Sequence, residues 1–356
     1  MAGRENIYYW KCDRPHAFFA IEDEKKTIDD SIISEVNDLL KFHFKTEKFE
    51  ILPGAGQGNH LTFVAEKDKV KYFIRIENGD DEDEYMEVEA SVINKAKELG
   101  IPVPHILTVD STRKKYSFAY QIMENINYLD LNKIYKSDEL DVIPIMETIG
   151  KYIAQWQQFA PKGFGPFNIE ILRNENKLEG VHKRYIDYFT LNLDKHLAFL
   201  VDNEFIDNER SNEIHSLIAQ HKEMLKLDSG CLVHKDLALW NLMGTKTQIK
   251  AVIDWDDTIS GDPTDDIALM ACFHSAEEIK AIICGYEKIK SLPDNFMIRF
   301  WLHLLRNIIF KAVIRVGAGY FDRGKDFFLI NEDNANEGRN NALYDFTQSR
   351  INLAIE

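Results

Sequence analysis

His234-Lys235-Asp236-Leu237-Ala238-Leu239-Trp240-Asn241, with Val252-Ile253-Asp254-Trp255-Asp256 soon after it, is the most telling stretch of this chain. As a pattern it is H-x-D-x-x-x-x-N and then an apolar run ending in Asp. Phosphoryl transfer from a nucleotide asks few groups of a protein, because its transition state is stabilised mainly by positioning and charge. It needs a carboxylate to orient the attacking hydroxyl and accept its proton. It also needs oxygen ligands for Mg²⁺, which Asp and Asn side chains provide beside phosphates and water. Asp236 fits the first role, and Asn241 with Asp254 fits the second.

Asp and Asn also make ordinary turns, so the octet does not settle the matter alone. Its flanks do more. Cys231-Leu232-Val233 is apolar and Ile249-Lys250-Ala251-Val252-Ile253 is β-rich, so Asp236 and Asp254 each sit just past an expected strand. Two acids placed by strands, with an Asn between them, match the arrangement of a catalytic loop and a metal-binding Asp.

Upstream, the strand signal Phe49-Glu50-Ile51-Leu52 leads into a glycine-rich tip, residues 53–60, and then to strands over 61–65 and 70–76. Glycine lets backbone N–H groups approach phosphates closely, which Gly54, Gly56 and Gly58, with Asn59, are placed to do. The spacing is neither a Walker A motif nor a clean G-x-G-x-x-G, so a P-loop NTPase and a dinucleotide fold lose support. Arg75 is the basic strand residue expected to meet phosphate oxygens, with Lys71 on the same strand face as the fallback. The acid run over 77–89 reads mostly as a solvated loop and helix N-terminus. Glu89 is the exception: it opens a helix over 89–99, closed by Gly100 and Pro102, from which it would pair with Arg75.

Strands over 106–109 and 116–123 run into Glu124-Asn125-Ile126-Asn127, a short polar segment expected to be a hinge. Backbone groups near Glu124 and Ile126 would hold an adenine ring there. Helices are then expected over 145–159, 182–202, 209–227, 263–284 and 296–316. The layout is α+β and bilobal: a β-rich first lobe over 1–123 with an N-terminal extension, the hinge at 124–127, and a helical lobe over 128–356.

The chain has 356 residues, 45% hydrophobic and 12% aromatic, as a packed globular protein does. Cys12, Cys231, Cys272 and Cys284 show no zinc-type spacing, and reduced thiols suit a cytoplasmic protein. The first residues lack a signal-type apolar region and no run approaches a membrane span, so no membrane partner is expected. A formal charge of −16 argues against a nucleic-acid partner. It suits a cationic substrate, and equally plain solubility.

In this order and spacing the motifs resemble the aminoglycoside phosphotransferase family, small-molecule kinases that share the protein-kinase fold. The likeness rests on Gly58-Asn59-His60-Leu61-Thr62-Phe63-Val64, Phe73-Ile74-Arg75-Ile76, Glu89-Ala90 and Gly100-Ile101-Pro102-Val103-Pro104. It continues through Gln121-Ile122-Met123-Glu124, Gly163-Phe164-Gly165, the His234 to Asn241 segment, Ile253-Asp254-Trp255 and Gly261-Asp262-Pro263-Thr264-Asp265-Asp266-Ile267-Ala268. Protein kinases carry D-F-G and A-P-E instead, and neither is found. The resemblance implies that Asp236 is catalytic, that Asn241 and Asp254 bind Mg²⁺, and that Arg75 with Glu89 positions the phosphates of ATP or GTP. It also implies that His234 braces the loop and that Asp266 hydrogen-bonds to it. Three departures stand out. Lys235 occupies the family's usual Gly, adding a cation near the transferred phosphate. Arg75 replaces the Lys of better-known members, keeping the charge with a bidentate fork. Trp156-Gln157 stands where Leu-His is common.

The acceptor is the open question. Asp254, Asp256, Asp257, Asp262, Asp265 and Asp266 crowd residues 254–266, and Asp256 and Asp257 adjoin the metal Asp where an acceptor would dock. An aminoglycoside-type antibiotic would suit that acidic surface. Tyr8, Tyr9, Trp10, Phe321, Phe327 and Phe328 would equally line an apolar site for a macrolide; amino alcohols and sugar metabolites are further alternatives. Residues 317–341 would be a substrate loop or a plain connection. A catalytically silent binding protein on the same fold is the competing class. Retention of Asp236, Asn241 and Asp254 together favours the enzyme.

Overall fold

The structure is a computed structural model that describes residues 4–18, 30–54, 60–79, 81–323, 329 and 341–356. Its first layer is an antiparallel five-stranded sheet in the order β1-β2-β3-β5-β4. The strands are β1 (Glu50–Pro53), β2 (Leu61–Lys67), β3 (Val70–Glu77), β4 (Ile106–Asp110) and β5 (Ala119–Glu124). Burial alternates along β2, as the period of a strand with one covered face requires. The cover is α2 (Asp30–Phe44), which sets Val36, Leu39 and Leu40 against Phe63, Ile74 and Ile122. A short helix, α1 (Trp10–Asp13), precedes it, and α3 (Met86–Glu98) follows β3.

Helices dominate beyond β5. In chain order come β6 (Leu129–Asp130), α4 (Leu131–Lys136), α5 (Val142–Trp156), β7 (Phe164–Phe167), α6 (Ile169–Glu175), β8 (Gly180–His182), α7 (Tyr185–Phe189), α8 (Leu193–Asp202) and α9 (Asn208–Gln220). Then follow β9 (Cys231–Val233), β10 (Leu242–Gly244), β11 (Ile249–Val252), β12 (Ile259–Gly261), α10 (Asp265–Met270), α11 (Ala276–Glu287), α12 (Phe296–Gly317) and α13 (Asn341–Ile355). The fold class is therefore the expected one. Two long helices differ from expectation. The stretch 182–202 breaks into β8, α7 and α8, with Asn192 left-handed at φ 56° before α8. The stretch 263–284 stops after Met270 and restarts at Ser275, which caps α11 in a reciprocal capping box with Glu278.

Residues 4–18 depart from the expected grouping with the first lobe. Tyr8, Tyr9 and Cys12 belong to the core of the helical part. Tyr8 stacks on Tyr188 with ring centroids 5.0 Å apart, and the Arg306 guanidinium lies 3.5 Å from the Tyr8 ring centroid. The aromatic lead-in is thus interior, and its lack of helical or strand period reflects an irregular path fixed by these contacts.

Helices α5 and α11 meet at two glycines. A Cβ at Gly285 would overlap the carbonyl oxygen of Glu147, and one at Gly150 would overlap that of Ile282. Gly285→Val should therefore cost about 1–3 kcal/mol or more from overpacking, seen as a lower urea midpoint. An unchanged midpoint would show that the helices are not in such close approach.

Candidate active site

Strands β9 and β11 end beside one another and deliver the two segments that carry the chemistry. His234 follows β9, and its Nε2 meets the Ile253 carbonyl at 3.0 Å, bracing one segment on the other. The Ile253 N–H donates to the Asn241 carbonyl, also at 3.0 Å, one residue before Asp254. From the start of α10, Asp266 accepts the backbone N–H groups of His234 and Lys235 at 2.9 and 3.0 Å and the Trp156 indole N–H at 3.2 Å. Trp156 thereby braces this segment, and Gln157 beside it donates from Nε2 to the Pro263 carbonyl at 2.9 Å. Burial pushes the His234 imidazole down to about 4, so it is neutral.

Asp236 is 2% exposed, and every side-chain oxygen is engaged. Its Oδ1 accepts the Tyr9 hydroxyl at 2.7 Å and the Lys311 ammonium at 2.8 Å, while Oδ2 accepts the Asn241 Nδ2 at 3.1 Å. Burial alone would raise this carboxyl, but Lys311 and Lys11 outweigh it and hold it well below the usual carboxylate range. Burial and Asp236 raise the Tyr9 phenol, which therefore stays a donor.

Asp254 is half-buried and left-handed at φ 65°. Burial first, and then neighbouring Asp256, push its carboxyl well above the ordinary range. A carboxylate crowded by another is relieved by a divalent cation, and oxygen donors from Asn241 and Asp254 are the hard ligands Mg²⁺ takes. The residues present fit that ion.

Arg75 on β3 meets Glu89 on α3. Nη1 lies 2.6 and 2.8 Å from the two Glu89 oxygens, and Nη2 lies 3.0 Å from the His60 Nδ1. Nη2 also faces Asp256 at 3.6 Å and Asp254 at 3.8 Å, so one guanidinium joins the sheet to the metal-binding candidates. Burial raises the Glu89 carboxyl and Arg75 opposes it; a guanidinium held by two contacts keeps the pair ionic. Lys71, the fallback, lies apart at the other end of β3, opposite Glu66 at 3.8 Å. Gly54 donates its N–H to the Thr62 carbonyl at 2.8 Å, and its missing Cβ allows that approach. Gly56, Gly58 and Asn59 lie outside the described residues. At the expected hinge the Glu124 N–H is taken by the His105 carbonyl at 2.8 Å. Among the described residues neither main-chain polar group of Ile126 has a backbone partner, so both are free for a ligand.

Three expectations are not met by the geometry. Lys235 does not face a phosphate. It is 1% exposed and left-handed at φ 68°, and its ammonium is bound by the Tyr8 hydroxyl, Asp265 and Asn307 at 2.8–3.0 Å. That backbone costs a side-chain-bearing residue about 1–2 kcal/mol. Asp256 and Asp257 do not line the cavity beside Asp236. Their charge is drawn to two arginines: Asp256 to Arg75, and Asp257 to Arg4 at 3.9 Å. Phe327 and Phe328 lie outside the described residues. Phe321 stacks on Phe205, 5.6 Å away, and does not line that cavity.

The cavity next to Asp236 is instead lined by Tyr9, Lys11, Lys311 and Arg315, with Trp240 and Phe273 among its aromatic walls. Sequence reasoning missed all three cations. For Lys311 and Arg315 a signal was present: Arg299, His303, Asn307, Lys311 and Arg315 recur every four residues in a helix otherwise apolar but for Arg306, a buried polar stripe.

Glu89→Ala should lower stability by about 3 kcal/mol, because it strips a buried cation of its closest partner. Denaturant unfolding checks this, and an unchanged midpoint would contradict the pairing.

Residues 51–289 match the sequence model of the phosphotransferase enzyme family. No curated protein sequence matches the chain. In structure it is similar to aminoglycoside phosphotransferase APH(4)-Ia, with 15% identity over 90% of this chain and 98% of that one and a TM-score of 0.62. It is also similar to spectinomycin phosphotransferase APH(9)-Ia, solved with ADP and spectinomycin, at 15% identity over 90% and 97% and a TM-score of 0.56. A proposed fructosamine-3-kinase from Haemophilus somnus 129PT aligns at 14% identity over 90% and 97%, with a TM-score of 0.59. At these identities the likeness is one of fold.

Proposed function

The chain belongs to the phosphotransferase enzyme family, and we propose that this small-molecule kinase moves the γ-phosphoryl group of Mg-bound ATP or GTP onto a hydroxyl seated beside Asp236. The observation that carries the reading is the convergence on one buried carboxylate of a lysine, a tyrosine and the metal-binding candidate Asn241. An Asp236 oxygen accepts the hydrogen bond of the acceptor O–H and takes its proton as the new O–P bond forms. The bond from the γ-phosphorus to the bridging oxygen breaks, and its electron pair leaves with the nucleoside diphosphate. The transition state is loose, so the carboxylate needs to orient the hydroxyl more than to activate it. A weakly basic Asp236 suits that task.

Mg²⁺ held by Asn241 and Asp254 supplies charge neutralisation on the phosphates. Arg75, anchored by Glu89, reaches the same oxygens from β3. Residues 124–127 serve as the hinge, where the free main-chain groups of Ile126 receive the base. A silent scaffold has no need to keep Asp236, Asn241 and Asp254 together.

APH(4)-Ia has been solved with AMP-PNP and hygromycin B, and APH(9)-Ia with spectinomycin. These ligands give a second reading of the acceptor, an aminoglycoside-type antibiotic. Macrolides, amino alcohols and sugars complete the range to be assayed.

Asp236→Asn should lower acceptor-dependent release of nucleoside diphosphate on the order of 10³-fold, while Mg-nucleotide binding persists. Turnover that survived the substitution would remove Asp236 from its assigned place. Asp254→Ala should weaken nucleotide binding roughly 10–100-fold in Mg²⁺, at least the cost of losing an outer-shell partner. Calorimetry with and without Mg²⁺ checks it; equal loss in both conditions would argue against a metal ligand.

A further inference from the structure

The cavity beside Asp236 has an unusual charge balance. Of the residues that line it, three are cations, Lys11, Lys311 and Arg315, and one is an acid, Asp236. Lys311 is matched by Asp236 at 2.8 Å. Arg315 is not matched by a carboxylate among the described residues. Lys11, half-buried on α1, has no side-chain hydrogen bond or ion pair among the described residues, but against its burial the carboxylates of Asp236 and Asp254 hold its ammonium above the usual lysine range. Arg315 is 2% exposed, and its one side-chain hydrogen bond runs from Nη1 to the Thr347 hydroxyl at 2.6 Å. No carboxylate reaches it among the described residues. Burial pushes its guanidinium down to about 10, which marks a charge held without compensation.

Uncompensated buried charge is costly, and most acids of this region already sit against other cations. Asp13 is taken by His196 and Lys195, Asp265 by Lys235, Asp262 by Arg299, Asp256 by Arg75 and Asp257 by Arg4. Among the described residues no carboxylate meets Arg315 in the cavity. Arg315 has four N–H donors to spare in a planar fork, the geometry that fits a carboxylate or phosphate edge. Lys11 and Arg315 approach the cavity from opposite ends of the chain.

We propose that this cavity is the acceptor site and that Lys11, Lys311 and Arg315 receive an anionic group, so that the acceptor is a small hydroxylated carboxylate or phosphate. The assignment rests on Asp236 lying beside the acceptor hydroxyl. The anion seats against Arg315 and Lys11, and the hydroxyl carried on the same molecule turns toward Asp236. Aromatic walls from Trp240 and Phe273 cover its carbon skeleton. A polycationic acceptor would bring like charge against three cations.

The experiment uses the full chain with Mg-ATP and Mg-GTP and follows nucleoside diphosphate release. Acceptors are grouped as sugar and hydroxy acids, sugar phosphates, the matching neutral sugars, and aminoglycosides; nucleotide binding is measured separately by calorimetry. The proposal expects stimulation by a member of one anionic group, with the neutral counterpart at least tenfold poorer in kcat/KM. The two anionic groups tell carboxylate from phosphate. Arg315→Gln should raise the KM of that acceptor tenfold or more with kcat changed less than threefold. Arg315→Lys should recover part of the loss. A purely structural Arg315 would lower kcat and KM discrimination indifferently and would gain nothing from Lys. Stimulation by aminoglycosides or neutral sugars, or by no anionic member while Mg-nucleotide still binds, overturns the anionic acceptor and leaves the phosphotransferase standing. Loss of nucleotide binding as well would remove the reading beneath it.

Discussion

A single buried carboxylate, Asp236, organises this molecule. It is ionised in a place where burial opposes charge, and it stays so because a tyrosine hydroxyl, a lysine ammonium and an asparagine amide converge on its two oxygens. Those donors come from the residue just before α1, from α12 and from the segment before β10, so the fold must bring three distant parts of the chain to one point. Buried ion pairs of this kind contribute little net stability. Their effect is geometric, since a carboxylate with its lone pairs committed can occupy few orientations.

The same economy runs along α12. Every fourth residue of one face meets a charge: His303 faces Asp262 and Asp265, Asn307 bonds to Asp265, and Lys311 bonds to Asp236. Arg315, next in the row, ends at the cavity with no carboxylate against it among the described residues. The stripe therefore passes from ion-paired charge to a guanidinium held by the Thr347 hydroxyl within a few turns. The N-terminal segment lies across it, with Tyr8 between Lys235 and Arg306 and Tyr9 stacked on Phe310. Residues 4–18 are part of the site, and the sheet-bearing lobe is joined to them through Arg4, which holds Asp83 at 2.6 Å and the Asp256 carbonyl.

Much of this was legible in the residues. Local signals placed the strands on either side of the glycine-rich tip, the basic strand residue and the helix that carries Glu89. The short apolar runs before Asp236 and Asp254 marked the ends of β9 and β11, because a buried strand leaves little choice of residue. Long-range contacts were not legible. Nothing in the spacing of Lys235 says that its ammonium turns inward to Asp265, and nothing near Asp256 and Asp257 says that Arg75 and Arg4 take up their charge. Most carboxylates of 254–266 are set against cations in place, while the cavity beside Asp236 gathers cations from residues 11, 311 and 315, which no local count of acids could show.

A crystal structure of the full chain with AMP-PNP and Mg²⁺ would decide the arrangement. The γ-phosphate should face Asp236, with oxygens of Asn241 and Asp254 on the metal and Arg75 against the phosphates. A nucleotide whose γ-phosphate points away from Asp236, or a metal that Asp254 does not touch, would contradict it.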